Sequence, residues 1–151
     1  MSNEKKAIAI GCDHAGVQFK TEIIEWLKEN NYEVCDCGCY NNDSVDYPDI
    51  AYEVCSKIKS GDVDKAILIC GTGIGISISA NKINGIRAAL CHDYFSAKFT
   101  RVHNDANVIC FGARVIGTGL AMELVDVFLK TEFEGGRHQR RVDKMMELQG
   151  K

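Results

Sequence analysis

The segment Ala66-Ile67-Leu68-Ile69-Cys70-Gly71-Thr72-Gly73-Ile74-Gly75 passes from an uninterrupted apolar run to three alternating glycines. Such a run predicts a strand covered on both faces. The next residues, Ile76–Lys82, read as a helix. Strand, glycine turn and helix in that order are the repeating unit of a parallel sheet. The same unit recurs on either side. Ala7–Gly11, Val34–Gly38, Ile86–Cys91 and Val108–Gly112 are further strand candidates. Val17–Asn30 carries Phe19, Ile23, Ile24 and Leu27 at helical spacing. Pro48 opens another helix, where its missing N–H costs nothing, with Ile50, Ala51, Val54, Cys55 and Ile58 as its apolar stripe and Gly61 as its end. Tyr94–Arg101, Leu120–Leu129 and Arg141–Leu148 complete the helices. The fold predicted is α/β: a single three-layer αβα domain over residues 1–151, Rossmann-like, with a roughly five-stranded parallel sheet.

The totals fit that reading. A chain of 151 residues, 46% hydrophobic and 26% charged, has the balance of a folded domain. Its net charge of -3 offers no overall attraction to nucleic acid or to an anionic membrane, so neither is expected as a partner. No apolar run reaches the length of a membrane span, and the polar residues 1–6 lack the features of a signal peptide, which points to the cytoplasm. The eight cysteines are accordingly expected as reduced thiols. Cys12, Cys70, Cys91 and Cys110 stand at or near the ends of apolar runs, as small buried hydrophobes do. Cys35, Cys37 and Cys39 alternate, which places them on one side of a strand; their spacing is not that of a zinc pair, and no metal is expected.

Ligands of parallel sheets bind beyond the carboxyl ends of the strands. Those ends read Gly11-Cys12-Asp13-His14, Cys70 through Gly75, Cys91-His92-Asp93 and Gly112-Ala113-Arg114. Glycines 71, 73 and 75 let backbone N–H groups converge on an anion at a helix start, or they simply make a tight turn; the spacing is neither a Walker loop nor a dinucleotide fingerprint. Cys70 beside those N–H dipoles is a candidate thiolate, or a structural thiol. Gly135-Gly136-Arg137-His138-Gln139-Arg140-Arg141 is the most basic stretch of an acidic chain. It falls at a helix start, where the dipole disfavours cations, so either it binds an anion or it is a solvated surface. Arg137 and Arg141, four apart, suit one phosphate dianion. His103, Asp13 and His14 are proton-transfer candidates or ordinary loop residues.

These segments, together with Asp46-Tyr47-Pro48, Ala80-Asn81-Lys82 and His103-Asn104-Asp105-Ala106-Asn107, resemble ribose-5-phosphate isomerase B over nearly the whole chain. The wider family includes galactose-6-phosphate isomerase subunits and allose-6-phosphate isomerases. The resemblance implies aldose–ketose isomerisation of ribose 5-phosphate and ribulose 5-phosphate through a cis-enediolate, without cofactor or metal. It implies Cys70 as the base, and the N–H groups of Gly71, Thr72, Gly73, Ile74 and Gly75 as an oxyanion hole. Thr72 would relay a proton, His103 would open the furanose ring and Asp13 would bind ring oxygens. His14 and Asn104 would contact substrate, and Arg114, Arg137 and Arg141 would hold the phosphate. One branch of the family has a glutamate base just past the glycine loop; Ile76 stands there, so the chain resembles the cysteine branch. The resemblance further implies sites shared between two subunits of a homodimer, with His103 and Arg114 serving the partner's cleft, and a possible pairing of dimers into a tetramer. The alternatives are a six-carbon sugar phosphate or a free aldose as substrate, and a non-catalytic phosphate-binding module.

Overall fold

The computed structural model describes residues 7–41 and 43–151; the lead-in at residues 1–6 and Asn42 lie outside the described residues. The elements are β1 (Ala7–Cys12), α1 (Val17–Glu29), β2 (Glu33–Asp36), α2 (Tyr47–Lys59), β3 (Lys65–Cys70), α3 (Ile74–Asn81), β4 (Ala88–Leu90), α4 (Tyr94–Asn104), β5 (Val108–Gly112), α5 (Thr118–Lys130) and α6 (Arg137–Glu147). All strand pairs are parallel, in the order β2-β1-β3-β5-β4.

The strands explain their own layering. Successive side chains point to opposite faces, so Ile8, Ile10, Ile67, Ile69, Ile109 and Phe111 meet Ile23 and Leu27 of α1 and Leu124, Val125 and Phe128 of α5. Ala9, Ala66, Leu68, Cys70, Val108 and Cys110 face the other way, onto Ala51, Val54 and Cys55 of α2 and Ile76 and Ala80 of α3. Each fully buried large side chain contributes roughly 1.5–3 kcal/mol, and the two layers together clamp the sheet. The central strands β3 and β5 are buried throughout their apolar length, whereas edge strands β2 and β4 are half exposed. Asn81 covers part of the β4 edge, bonding Ala88 N at 2.8 Å and Ala88 O at 2.9 Å through its amide.

Several boundaries differ from expectation for identifiable reasons. Helix α3 begins at Ile74, because Gly73 adopts a left-handed conformation (φ 78) and starts the helix inside the glycine loop. Helix α4 runs on through His103 and Asn104, so His103 belongs to a helix end and not to a loop. Asp105 closes it with φ 47, its carboxylate 2.8 Å from Arg101 Nη1 and 3.5 Å from Arg87 Nη2. Helix α6 begins at Arg137, four residues before the expected start at Arg141, so the basic run forms its first turns. β4 is shorter than Ile86–Cys91, since Arg87 N is bonded by the Asn107 side chain at 2.8 Å. β2 ends at Asp36, so the cysteine trio does not share one strand face. Cys35 and Cys37 sulfurs lie 3.8 Å apart beside the α2–α3 layer, while Cys39 is buried in the α1–α5 layer.

All eight cysteines are free thiols. Burial pushes Cys12 from the ordinary value of 9.0 up to about 11, and Cys37, Cys55 and Cys91 to about 12; Cys110 rises well above it for the same reason. Above pH 9 the unfolded chain therefore releases protons that the folded chain keeps, and stability must fall with rising pH. The melting temperature, followed by circular dichroism, is expected to decline steadily between pH 9 and about 11, and replacing Cys55 with Ala should flatten that slope.

Candidate active site

The candidate functional side chains fall in two clusters, at opposite ends of the sheet. The first lies beyond the carboxyl ends of β1 and β3, at the point where the chain leaves β1 toward one side and β3 toward the other. Asp13 is 7% exposed there; its N–H donates to Ile69 O at 3.0 Å, and its Oδ1 accepts the Ala15 N–H at 2.9 Å. His14 follows, its Nδ1 3.4 Å from Val45 N. Cys70 ends β3 beneath the glycine loop, and its sulfur accepts the Gly73 N–H at 3.1 Å. A backbone donor aimed at sulfur is the arrangement that supports negative charge on it. Thr72 is exposed, its Oγ1 accepting the Ile74 N–H at 3.2 Å. The N–H groups of Gly71 and Thr72 have no partner among the described residues and are available to an anionic oxygen.

The loop is held from below by β5. Gly112 packs so closely that a Cβ there would lie 2.6 Å from the Thr72 carbonyl carbon. Ala113 N–H donates to Cys70 O at 2.9 Å, and Arg114 N–H to Gly71 O at 3.0 Å. The Arg114 side chain then folds over Gly71, its Nη1 3.6 Å from where a Cβ would sit. Arg114 thus belongs with its own chain's glycine loop, contrary to the expectation that it serves a partner's cleft.

Sequence reading missed two members of this cluster. Tyr47, at the start of α2, lays its ring against Gly75, with Cζ 2.6 Å from a Cβ position; Pro48 marked the helix start but gave no hint of that contact. His92 Nε2 accepts the Gly112 N–H at 2.9 Å, which fixes that nitrogen as unprotonated. It stands in a strand-end segment that was singled out, yet no role could be read from its neighbours.

The second cluster is built on α4 and α6. Helix α4 carries the chain back from the carboxyl end of β4 to the amino end of β5, so its last turn sits roughly 15 Å from its first. His103 and Asn104 therefore lie toward the amino ends of the strands, away from Cys70. Residues Arg137 and Arg141 are exposed on the first turns of α6, beside them. None of Arg114, Arg137 and Arg141 has an ion-pair partner among the described residues, which leaves each guanidinium for an external anion. Within one chain, then, Cys70 stands in one half and His103, Arg137 and Arg141 in another.

Comparison with known proteins gives a consistent picture. The family model described as Ribose/Galactose Isomerase matches residues 8–145. The chain is 49% identical to ribose-5-phosphate isomerase B of Escherichia coli, over 95% of this chain and 97% of that one. Among solved structures, ribose-5-phosphate isomerase B of Clostridium thermocellum superposes with a TM-score of 0.94 at 51% identity, covering 95% of this chain and 97% of that one. The Mycoplasma genitalium enzyme, solved with bound ribulose 5-phosphate, gives 0.91 at 43%, covering 96% and 97%.

Gly73 offers a test of the loop geometry. It combines a left-handed φ with a Cβ position 2.7 Å from the Phe111 carbonyl carbon, whereas Gly61 has φ 84 and open space around it. Gly73→Ala is expected to lower the unfolding free energy by about 2 kcal/mol or more in urea titration, and Gly61→Ala by only about 1.

Proposed function

The chain belongs to the ribose/galactose isomerase family, and we propose that it interconverts ribose 5-phosphate and ribulose 5-phosphate through a cis-enediolate with Cys70 as the base. Cys70 thiolate removes the proton from C2 of the open-chain aldose. The electron pair forms the C1–C2 double bond, and negative charge develops on the former carbonyl oxygen. Return of the proton at C1 gives the ketose. The observation that carries this assignment is the Gly73 N–H on the Cys70 sulfur, beside the unpartnered amides of Gly71 and Thr72. Donors fixed in advance where charge appears only during reaction are worth several kcal/mol of barrier. Thr72 stands next to these donors and relays the proton between the two sugar oxygens. Asp13 and His14 bind sugar hydroxyls at the mouth of the same loop.

The working site, in this reading, joins the Cys70 half of one subunit to the His103 half of another. His103 of the partner subunit opens the furanose ring, Asn104 of the partner subunit contacts the substrate, and Arg137 and Arg141 of the partner subunit join Arg114 on the phosphate. Two observations support it. Base and ring-opening group lie at opposite ends of one chain's sheet, and Ile74, Ile78, Leu90, Tyr94 and Phe95 expose large apolar surface on α3, β4 and α4 along one sheet edge. We place this single-domain homodimer in the cytoplasm, a reducing compartment that suits eight free thiols. Two such dimers pairing into a tetramer is compatible with the same fold.

Two experiments check this. In the presence of EDTA, kcat/KM for ribose 5-phosphate is expected to exceed that for allose 6-phosphate, galactose 6-phosphate and free ribose by about tenfold or more; a higher value for any of these would reassign the substrate. Cys70→Ala and His103→Ala are each expected to lower turnover of ribose 5-phosphate by roughly a hundredfold or more. Unfolding and refolding the two variants together should restore about a quarter of the sites, because each mixed dimer has one intact Cys70–His103 pair. No recovery would mean that the site is not shared.

A further inference from the structure

His103 has two ring neighbours. Phe99, one turn earlier on α4, has its ring centroid 5.1 Å away at an interplanar angle of 51°, and His138 of α6 stacks on the imidazole at 4.5 Å and 24°. Phe95 extends the series, 4.4 Å from Phe99, so four rings run as one ladder that ends on His138. The last ring is unusual in its surroundings. His138 is only 5% exposed, and its Nε2 is buried without a hydrogen-bond partner among the described residues; Glu134 Oε1, at 3.7 Å, is out of reach. A buried polar atom left unpaired costs about 1–3 kcal/mol. No hydrogen bond at Nε2 positions this imidazole, so what it offers His103 is its face. Burial, with His103 and Arg137 nearby, lowers the His138 pKa. The approach to α6 is tied to the same place, since Glu134 N–H donates to Val102 O at 3.2 Å.

We propose that His138 is a positioning residue for ring opening: its stacked imidazole fixes the plane of His103 and thereby the direction in which His103 delivers a proton to the furanose ring oxygen. The inference rests on the reading of His103 as the ring-opening group. His103 has two side-chain dihedrals to lose, and stacking on His138, with Phe99 alongside, restricts them before substrate arrives. Such pre-positioning matters only for the closed sugar. Ribose 5-phosphate is mostly a furanose and needs the ring opened. Ribulose 5-phosphate cannot close a five-membered ring, because the hydroxyl required carries the phosphate, and it enters the reaction open.

The test compares His138→Ala, His138→Phe and His103→Ala in both directions, with melting temperatures as a check on folding. His138→Ala is expected to lower kcat on ribose 5-phosphate by about tenfold or more with KM changed less than about threefold, while kcat on ribulose 5-phosphate stays within about threefold of the parent and its KM rises, since the overall equilibrium fixes the ratio of kcat/KM in the two directions. His138→Phe, which keeps a ring face and removes both nitrogens, should restore most of the lost kcat. Unchanged kcat in His138→Ala would overturn the proposal. So would a rise of KM in both directions that Phe does not repair, the signature of a phosphate ligand. Equal loss in both directions with a lowered melting temperature would make His138 merely structural. If His103→Ala itself turns over ribose 5-phosphate normally, the assignment of His103 fails and the role of His138 falls with it; if only His103→Ala is impaired, His103 stands and the inference about His138 fails alone.

Discussion

The close approach of β5 to the loop after β3 is the constraint on which the molecule depends. Gly112 lies so near Thr72 that no side chain fits between the two backbones. The strand that passes there donates Ala113 N–H to Cys70 O and Arg114 N–H to Gly71 O, and receives the His92 imidazole on its own Gly112 N–H. Each bond alone is worth about 1 kcal/mol, but together they leave the loop one conformation. In that conformation the Gly73 N–H points at the Cys70 sulfur, and the amides of Gly71 and Thr72 are left open. An anion-stabilising site that has to reorganise during the reaction spends its advantage on moving; one fixed by the sheet does not.

The sheet itself was legible because its signal is local. Ala66–Cys70 and Val108–Gly112 are apolar at every position, and only strands covered on both faces tolerate that in runs so short. Boundaries were less legible wherever a distant partner set them. Part of what holds the end of α4 at Asn104 is distant: Asp105 pairs with Arg101 one turn back, and also with Arg87 from before β4, a partner that spacing does not reveal. The cysteine trio shows the same limit. Alternation puts three thiols on one side only if the strand lasts, and β2 ends at Asp36, whose carboxylate is drawn to Lys20 of α1 at 2.6 Å.

For the site, residue types and order in the sequence were informative, while mutual position was not. Cys70, Thr72 and Asp13 stand where strand ends were expected to place them, since the rule that ligands gather beyond carboxyl ends needs no tertiary knowledge. Arg114 was expected to serve a partner's cleft, whereas its side chain turns back over Gly71 of its own chain through a contact between β3 and β5 that spacing does not encode. Tyr47 and His138 make ring contacts with residues 28 and 35 positions away, Gly75 and His103. A single sequence carries no trace of such pairs.

Dividing the functional groups between the two ends of the sheet also resolves an electrostatic difficulty. Three guanidiniums without an ion-pair partner among the described residues would, if crowded around Cys70 in one chain, hold a cluster of positive charge together. Here only Arg114 lies over the glycine loop, and Arg137 and Arg141 project into solvent from α6, where water screens them. The helix start on which they stand is unfavourable for cations by a fraction of a kcal/mol each. That cost is small where both side chains are solvated, and an anion placed between them would offset it.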